Sequence, residues 1–286
     1  MPYLFFFTNS GTESCELAVK MARKYWFEKG YHDKFEIITF EGSFHGRSSA
    51  GIAATASEKM TKGFGPLLPG FLSINWNNHE AIKNSISDRT AAILLEPIQG
   101  EGGIRVVPEQ CLKGIREFCD ENKILLILDE VQCGVGRTGK LFAHEWAEIE
   151  PDIMMVAKGI GGGFPLGAVL AKENAASGMT TGTHGSTYGG NPLGCSVGLK
   201  VMDIISNPNF LLDVNHKAKI FRAGLSELIN KNTSIFEEVR GKGLMLGLKC
   251  KVQNIDVVNA GYSNKLLTVP AGDNVVRLLP LSLIHI

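Results

Sequence analysis

Short, almost entirely apolar runs alternate along this chain with longer segments of helical periodicity, and this alternation constrains the fold more than any other feature. Such runs are typical of strands that are covered on both faces of a sheet. They lie at residues 4–8, 35–40, 92–96, 124–128, 153–157 and 168–171. Helical segments lie between them, among them residues 13–29 and 108–122. The sequence therefore predicts an α/β fold with a mostly parallel sheet flanked by helices, which binds ligands at the carboxyl ends of its strands.

The pattern changes after about Pro192. The elements predicted beyond it are helices at residues 193–205 and 211–230 and strands at residues 237–250 and 274–279. A chain of 286 residues, of which 44% are hydrophobic, is long enough for a large core and a second, smaller one. We therefore predict a large domain over residues 1–195 and a smaller α+β C-terminal domain over residues 196–286.

The charge balance and the cysteines argue against several classes of protein. Lys plus Arg and Asp plus Glu both number 29, and without a basic patch neither nucleic acid nor an anionic membrane is predicted as a general partner. The apolar opening of the chain is too short to span a bilayer. The six cysteines form no C-x-x-C pair and match no zinc spacing, so we predict reduced thiols, no metal site and a cytoplasmic location.

One apolar run ends in a lysine that is followed by glycines, in MMVAKGIGGGFPLG at residues 154–167. Lys158 is either a half-buried amine with a lowered pKa, and hence a nucleophile, or a lysine that extends into solvent. Asp129 ends the most apolar run of the chain, in ILLILDEVQCGVGRTG. A carboxylate there is costly to desolvate unless a cation or a donor meets it. If the two strands are parallel neighbours, Lys158 and Asp129 lie at the same edge of the sheet.

Two stretches near the start of the chain suit a ligand, and each also has a purely structural interpretation. In TNSGTE, the turn into a helix at Gly11 and Thr12 is either an anion site or an ordinary N-cap. In FHGR, Phe44 or His45 is suited to stack on a planar ring and Arg47 to bind a carboxylate. The alternative for FHGR is a surface turn.

Three other features are open in the same way. In EPIQGEGG, Glu96 ends an apolar strand and Glu101 lies among glycines that allow a ligand to approach the backbone, unless Glu96 is buried for structural reasons. Residues 183–194 are rich in hydroxyl groups and glycine, and form either a second anion contact or a plain loop. A magnesium site is an alternative for Asp129, but it is weakened because the chain has no G-x-x-x-x-G-K-[ST] motif.

Taken together, these groups suit one cofactor, pyridoxal phosphate. This cofactor needs a lysine for its Schiff base and a carboxylate that keeps the pyridine nitrogen protonated. It also needs an aromatic side chain on its ring and a helix N-terminus at its phosphate. Lys158, Asp129, Phe44 and the turn at Gly11 and Thr12 provide these groups in that order.

These stretches resemble the class III, or ornithine-type, pyridoxal-phosphate-dependent aminotransferases of fold type I. The resemblance covers nearly the whole chain, from FFTNSGTE to GDNVVRLLP, and it is most specific over LLILDEVQCGVGRTGKLFAHEW and PDIMMVAKGIGGGFPLGAVLA. It implies that Lys158 carries the cofactor, that Asp129 pairs with the pyridine nitrogen, and that Gln132 contacts the phenolic oxygen. The other cofactor-binding residues that it implies are Gly11 and Thr12 at the phosphate, Phe44 on the ring, His45, Glu130 and Val131.

The same resemblance implies roles toward the substrate and a partner subunit. Thr187, in GSTYGG, is expected to reach the phosphate of the neighbouring subunit of a homodimer, with Ser186 near the substrate. Arg47 is expected to bind a substrate carboxylate, and Arg277 the α-carboxylate. Glu101 is expected to pair with Arg277 in one half-reaction and to release it in the other, so that one site accepts both an ω-amino substrate and glutamate.

The reaction that the resemblance implies is a ping-pong transfer of an ω-amino group to 2-oxoglutarate. Within the class the motifs are most similar to those of enzymes that act on N-acetylornithine, in arginine biosynthesis. Ornithine, succinylornithine and 4-aminobutyrate remain alternative donors, and a non-catalytic remnant is an alternative of another kind. A cofactor-binding transcription regulator is disfavoured because no helix-turn-helix segment or basic patch is present.

Both ends of the chain differ from the family pattern. The chain begins close to the phosphate turn, where members of the family have a substantial preceding segment. It ends RLLPLSLIHI, where the family continues into further strand and helix. We therefore expect a chain truncated at both ends, including its smaller domain, that folds poorly or has low activity by itself, because apolar surface would be uncovered.

Overall fold

The protein is described by a computed structural model over residues 3–76 and 78–280. The strands are β1 Tyr3–Thr8, β2 Glu36–Phe40, β3 Phe71–Ile74, β4 Thr90–Leu95, β5 Ile98–Gln99, β6 Arg105–Val106, β7 Leu125–Asp129, β8 Ile153–Val156, β9 Gly167–Lys172, β10 Phe236–Lys242, β11 Met245–Cys250, β12 Val269–Ala271 and β13 Val275–Leu278. The helices are α1 Gly11–Glu28, α2 Ser49–Thr55, α3 Glu58–Thr61, α4 His79–Ser85, α5 Glu109–Glu121, α6 Glu173–Ala176, α7 Pro192–Ile205, α8 Pro208–Lys231 and α9 Asn254–Ser263.

A seven-stranded sheet in the order β1-β9-β8-β7-β4-β2-β3 forms the centre of the larger part. The strands β8, β7, β4, β2 and β3 pair in parallel, and β9 is antiparallel to both of its neighbours. Successive residues of β4 alternate between two cores, with Ala92 and Leu94 in one and Ile93 and Leu95 in the other. Burial on both faces explains why these strands are apolar throughout, and the predicted mostly parallel, helix-flanked sheet is confirmed.

The six predicted strands of this sheet are present, with bounds that differ by one or two residues. The strand that sequence reasoning missed is β3, at the edge of the sheet. Leu72 in this strand is 41% exposed, and the strand is only four residues long. A short edge strand needs no continuous apolar run, so the pattern that marks the central strands is absent from it.

A second sheet, antiparallel and four-stranded, has the order β10-β11-β13-β12. It shares a small core with α8 and α9, to which Leu225, Leu246 and Val258 contribute. The stretch 237–250, predicted as strand, is a hairpin of β10 and β11. Helix α8 begins at Pro208, three residues before the predicted start, because Asn207 caps it and proline suits a first helical turn. Sequence reasoning missed α9 and β12.

The parallel pairing of β7 and β8 brings two polar residues to one edge of the larger sheet. Asp129, the last residue of β7, lies opposite Met155 of β8. Lys158 follows the end of β8 in a single 3₁₀ turn, Lys158–Gly161. Among the helices of residues 3–76 and 78–280, none has both the length and the apolar content that a membrane crossing requires.

Candidate active site

A cavity of about 360 Å³ opens at the carboxyl edge of the larger sheet. Eight of the predicted site residues line it: Gly11, Thr12, Phe44, His45, Asp129, Val131, Gln132 and Lys158. Glu96, from the end of β4, lines it as well. The residues predicted to bind substrate or a neighbouring subunit, together with Glu130, lie outside this lining: Arg47, Glu101, Glu130, Ser186, Thr187 and Arg277.

Lys158 has an unusual backbone conformation for its residue type. Its φ is 47°, in the left-handed region that costs a residue with a Cβ roughly 1–2 kcal/mol. Such conformations are concentrated at functional sites, where the surrounding structure holds them. The side chain borders the cavity and is exposed, so of the two interpretations of Lys158 the structure agrees with the lysine that extends from the strand end.

Asp129 is buried, and its carboxylate accepts hydrogen bonds from two donors within the protein. Its Oδ2 lies 2.8 Å from His45 Nδ1, and its Oδ1 accepts from the backbone N–H of Val131 at 3.0 Å. Since a carboxylate only accepts, Nδ1 carries the proton in this pair. A carboxylate offers about four acceptor sites, so Asp129 retains capacity for a third donor in the cavity. His45 thus fixes the orientation of the carboxylate, in addition to lining the cavity itself.

Glu96 is a second buried carboxyl group at the cavity. Its oxygens accept from the backbone N–H groups of Phe44, at 2.9 Å, and Gly100, at 3.2 Å. Burial raises the pKa of Glu96 to about 7; Asp129 adds to the rise, while His45 and the two backbone donors oppose it. The structural interpretation of Glu96 is therefore supported, because it ties the loop that carries Phe44 to the loop after β4.

The raised pKa of Glu96 predicts how stability depends on pH. The folded pKa of about 7 lies above the ordinary value of 4.5, so the contribution of this group is full below 4.5 and is lost as pH rises through 7. The Gln side chain of the Glu96→Gln variant does not titrate in this range. Relative to that variant, the free energy of unfolding of the wild type is expected to fall by about 3 kcal/mol between pH 4.5 and 8. Urea unfolding of both proteins across this range measures the difference, and parallel pH profiles would contradict the prediction.

The first turn of α1 combines a helix cap with a free helix N-terminus. Ser10 caps the helix by accepting from the backbone N–H of Glu13, and Glu13 Oε2 accepts from Asn9. The first amides of a helix, here those of Gly11 and Thr12, have no partner within the helix and suit an anion. Gly46 has a φ of 116°, and a Cβ there would lie 2.9 Å from Thr12 Oγ1. The N-cap uses the backbone N–H of Glu13 and leaves those of Gly11 and Thr12 for an anion, so the two interpretations of this turn are compatible.

The structure corrects one predicted cofactor contact. Glu130 is fully buried away from the cavity. Its Oε1 accepts from the backbone N–H of His144, and its Oε2 from that of Ala143, both at 2.8 Å. His144 Nδ1 also lies 3.0 Å from Oε1. Because side chains alternate in direction at the end of a strand, Asp129 faces the cavity while Glu130 stabilises the loop at residues 142–147.

Glu130→Ala is expected to lower the free energy of unfolding by about 3 kcal/mol, because it leaves two buried N–H groups without an acceptor. Chemical denaturation with and without pyridoxal phosphate measures the loss, which we expect in both conditions. Glu117→Ala, a change at an exposed glutamate of α5, is the control and is expected to change stability by less than about 0.5 kcal/mol. Weaker cofactor binding at unchanged stability of the cofactor-free protein would contradict this account.

The predicted substrate-binding residues lie around the cavity. Arg277 is buried, and its Nη1 donates to Glu101 Oε1 at 2.7 Å. Arg47 is exposed, with its guanidinium carbon 5.7 Å from the centre of the Phe44 ring. Ser186 Oγ accepts from the side-chain amide of Asn9, a cavity residue, at 3.0 Å. Thr187 beside it is exposed.

Comparison with known proteins identifies the family. The model of aminotransferase class III matches residues 4–285. The chain belongs to the class III aminotransferase family. Acetylornithine aminotransferase from Rhodobacter capsulatus is 64% identical over 275 residues, which are 96% of this chain and 70% of that protein. Its counterpart from Mesorhizobium japonicum is 55% identical, with 96% and 69% covered.

Solved structures of aminotransferases are similar to this chain over nearly its whole length. Ornithine aminotransferase from Toxoplasma gondii has a TM-score of 0.92 at 31% identity, covering 98% of this chain and 68% of that one. N-acetylornithine aminotransferase from Stenotrophomonas maltophilia has a TM-score of 0.82 at 37% identity, with 98% and 70% covered. The predicted enzyme class, a transaminase that depends on pyridoxal phosphate, is thereby confirmed.

Proposed function

We propose that this aminotransferase transfers the ω-amino group of N-acetylornithine to 2-oxoglutarate by a ping-pong reaction, as a step of arginine biosynthesis. The donor is supported by the two acetylornithine aminotransferases at 64% and 55% identity. The observation that carries the chemistry is that Lys158 and Asp129, from adjacent parallel strands, line one cavity.

The residues of the cavity fit pyridoxal phosphate. The buried Asp129 has an acceptor site left for the pyridine nitrogen, and the first amides of α1 suit the phosphate. Phe44 would lie on the ring, Gln132 at the phenolic oxygen and Lys158 at the aldehyde carbon. When bound, the cofactor supplies an electron-withdrawing ring that stabilises negative charge on the substrate carbon.

Lys158 is the proposed general acid and base. When pyridoxal phosphate is bound, the amine of Lys158 would hold it in the resting enzyme, and the same amine, once free, would accept and return the proton at the substrate carbon. Asp129 would keep a proton on the pyridine nitrogen of the bound cofactor, and His45, with its Nδ1 2.8 Å from Oδ2, holds Asp129 in the orientation that this requires. These roles thus fall to groups from the end of β7, the 3₁₀ turn after β8 and the loop after β2.

Substrate carboxylates are the proposed ligands of Arg277 and Arg47. Arg277 pairs with Glu101 in the structure, and a Glu101 side chain that is 38% exposed is able to leave without creating a fully buried charge. We propose that Glu101 separates from Arg277 when a substrate carboxylate binds this arginine, and that the pair forms again in the other half-reaction. Arg47, exposed beside Phe44, is proposed for the second carboxylate of an acidic substrate.

The proposal extends to the assembly and the location. We propose a homodimer in which Thr187 reaches the phosphate of the neighbouring subunit, supported by the exposure of Thr187 beside Ser186. The division into domains at residues 195 and 196, within α7, remains a prediction, and so does the cytoplasmic location. The latter rests on six cysteines that are all free thiols.

A screen of amino donors against 2-oxoglutarate tests the function. N-acetylornithine is expected to give the highest kcat/KM, above ornithine, succinylornithine and 4-aminobutyrate. Arg277→Lys keeps the charge at this position. It is expected to raise KM because an ammonium group cannot replace the bidentate contact of a guanidinium group with a carboxylate. A higher kcat/KM with another donor would contradict the proposed substrate, and no transfer with any donor would contradict the proposed activity.

A further inference from the structure

Gln132 belongs both to the cavity and to a hydrogen-bonded cluster that it forms with Glu101 and the buried Arg277. Nη1 of Arg277 donates to Glu101 Oε1 at 2.7 Å and to Gln132 Oε1 at 3.3 Å. Of these three residues, Gln132 alone lines the cavity. The carboxylate-binding arginine is therefore connected to the cofactor cavity through the amide of Gln132.

The contact with Arg277 determines which end of the Gln132 amide faces the cavity. A guanidinium group only donates, so the amide oxygen must point toward Arg277. The amide nitrogen, which donates to no atom of residues 3–76 and 78–280, is then left for an acceptor in the cavity. Gly100 lies beneath the amide, and a Cβ there would overlap it, so packing holds the amide plane as well.

We propose that Arg277 is a positioning residue for the cofactor, acting through Gln132, in addition to binding carboxylates. This inference rests on the proposed function, because it takes the phenolic oxygen of pyridoxal phosphate as the acceptor for the Gln132 amide nitrogen. When a substrate carboxylate replaces Glu101, Nη1 of Arg277 keeps Gln132 as its second partner. The amide orientation is thus preserved in both half-reactions, and it is lost when Nη1 of Arg277 is removed.

A double-mutant cycle on the visible absorbance of the bound cofactor tests the coupling. The pH midpoint of the band is measured for the wild type, Arg277→Lys, Gln132→Met and the double variant. Arg277→Lys keeps the charge but removes Nη1, because the lysine side chain is shorter. We expect it to raise the midpoint by about one unit, because the negatively charged phenolic oxygen loses a donor. In the Gln132→Met background the same change is expected to leave the midpoint where it is.

The controls separate this coupling from electrostatics and from folding. Arg47→Lys alters a cation that does not contact Gln132, and it is expected to shift the midpoint equally in both backgrounds. Gln132→Glu keeps an acceptor for Arg277 but loses the donor, so it replaces Gln132→Met if that variant does not fold. An equal shift for Arg277→Lys in both backgrounds, or no shift in either, would overturn the inference. A wild type without any visible band would instead overturn the proposed function on which it rests.

Discussion

Lys158→Ala is expected to abolish the visible absorbance of the bound cofactor and to lower kcat on the order of 10⁴-fold. The loss is large because one amine both holds the cofactor and moves the proton, and a general acid and base alone contributes roughly 10²–10⁴-fold. Absorbance scans and turnover with 2-oxoglutarate measure the two effects. The stability of the cofactor-free protein is expected to be unchanged, because the lysine is exposed and the variant removes no buried contact.

The matched control for this change is Lys200→Ala. Lys200 is an exposed lysine of α7 outside the cavity lining, so the variant removes the same charge without touching the site. We expect it to keep both the absorbance band and the turnover. A Lys158→Ala protein that kept the band, or that turned over at a rate close to the wild type, would show that another amine holds the cofactor.

Asp129→Asn is expected to lower kcat on the order of 10³-fold and to leave the cofactor bound. An amide has no negative charge to keep the proton on the pyridine nitrogen, so the ring withdraws electrons less strongly. The change also places an amide among donors, because the backbone N–H of Val131 and Nδ1 of His45 both point at this position. Steady-state kinetics, together with the absorbance spectrum, measures the loss.

Asp120→Asn is the control for Asp129. Asp120 is 66% exposed and pairs with Arg116 on α5, remote from the cavity lining. An exposed ion pair contributes about 0–1 kcal/mol, so we expect wild-type kcat and nearly wild-type stability. A kcat for Asp129→Asn within a factor of about three of the wild type would exclude Asp129 as the partner of the pyridine nitrogen.

The central sheet was predictable from sequence because its strands are buried on both faces. In β4 every residue is buried, so the apolar run marks the strand directly. The same reasoning fails where burial is partial. Strand β3 is an edge strand, and α9 has Val258 as its single buried residue, so neither carries a strong pattern. Whether such elements form depends on packing against residues that are distant in the chain, and a local sequence pattern carries no information about that packing.

The polar ends of the strands were predictable, but their partners were not. Asp129 and Lys158 could be placed at one edge because parallel neighbours share an edge. The direction of Glu130 and the pairing of His45 with Asp129 depend on contacts between residues that are far apart in the chain. The exposure of Lys158 depends on the width of the cavity, which the spacing of motifs does not give. For these residues only the tertiary structure separates a ligand contact from a structural one.

The central claim is that the amine at residue 158 and the acid at residue 129 hold opposite ends of one pyridoxal phosphate. The most direct measurement is reduction of the holoenzyme with borohydride, followed by peptide mass spectrometry. The account predicts a single pyridoxyl label, on the peptide that contains Lys158, and full labelling of Lys158 in the Lys200→Ala control. A label on another lysine, or an unlabelled Lys158 in a protein with bound cofactor, would contradict it.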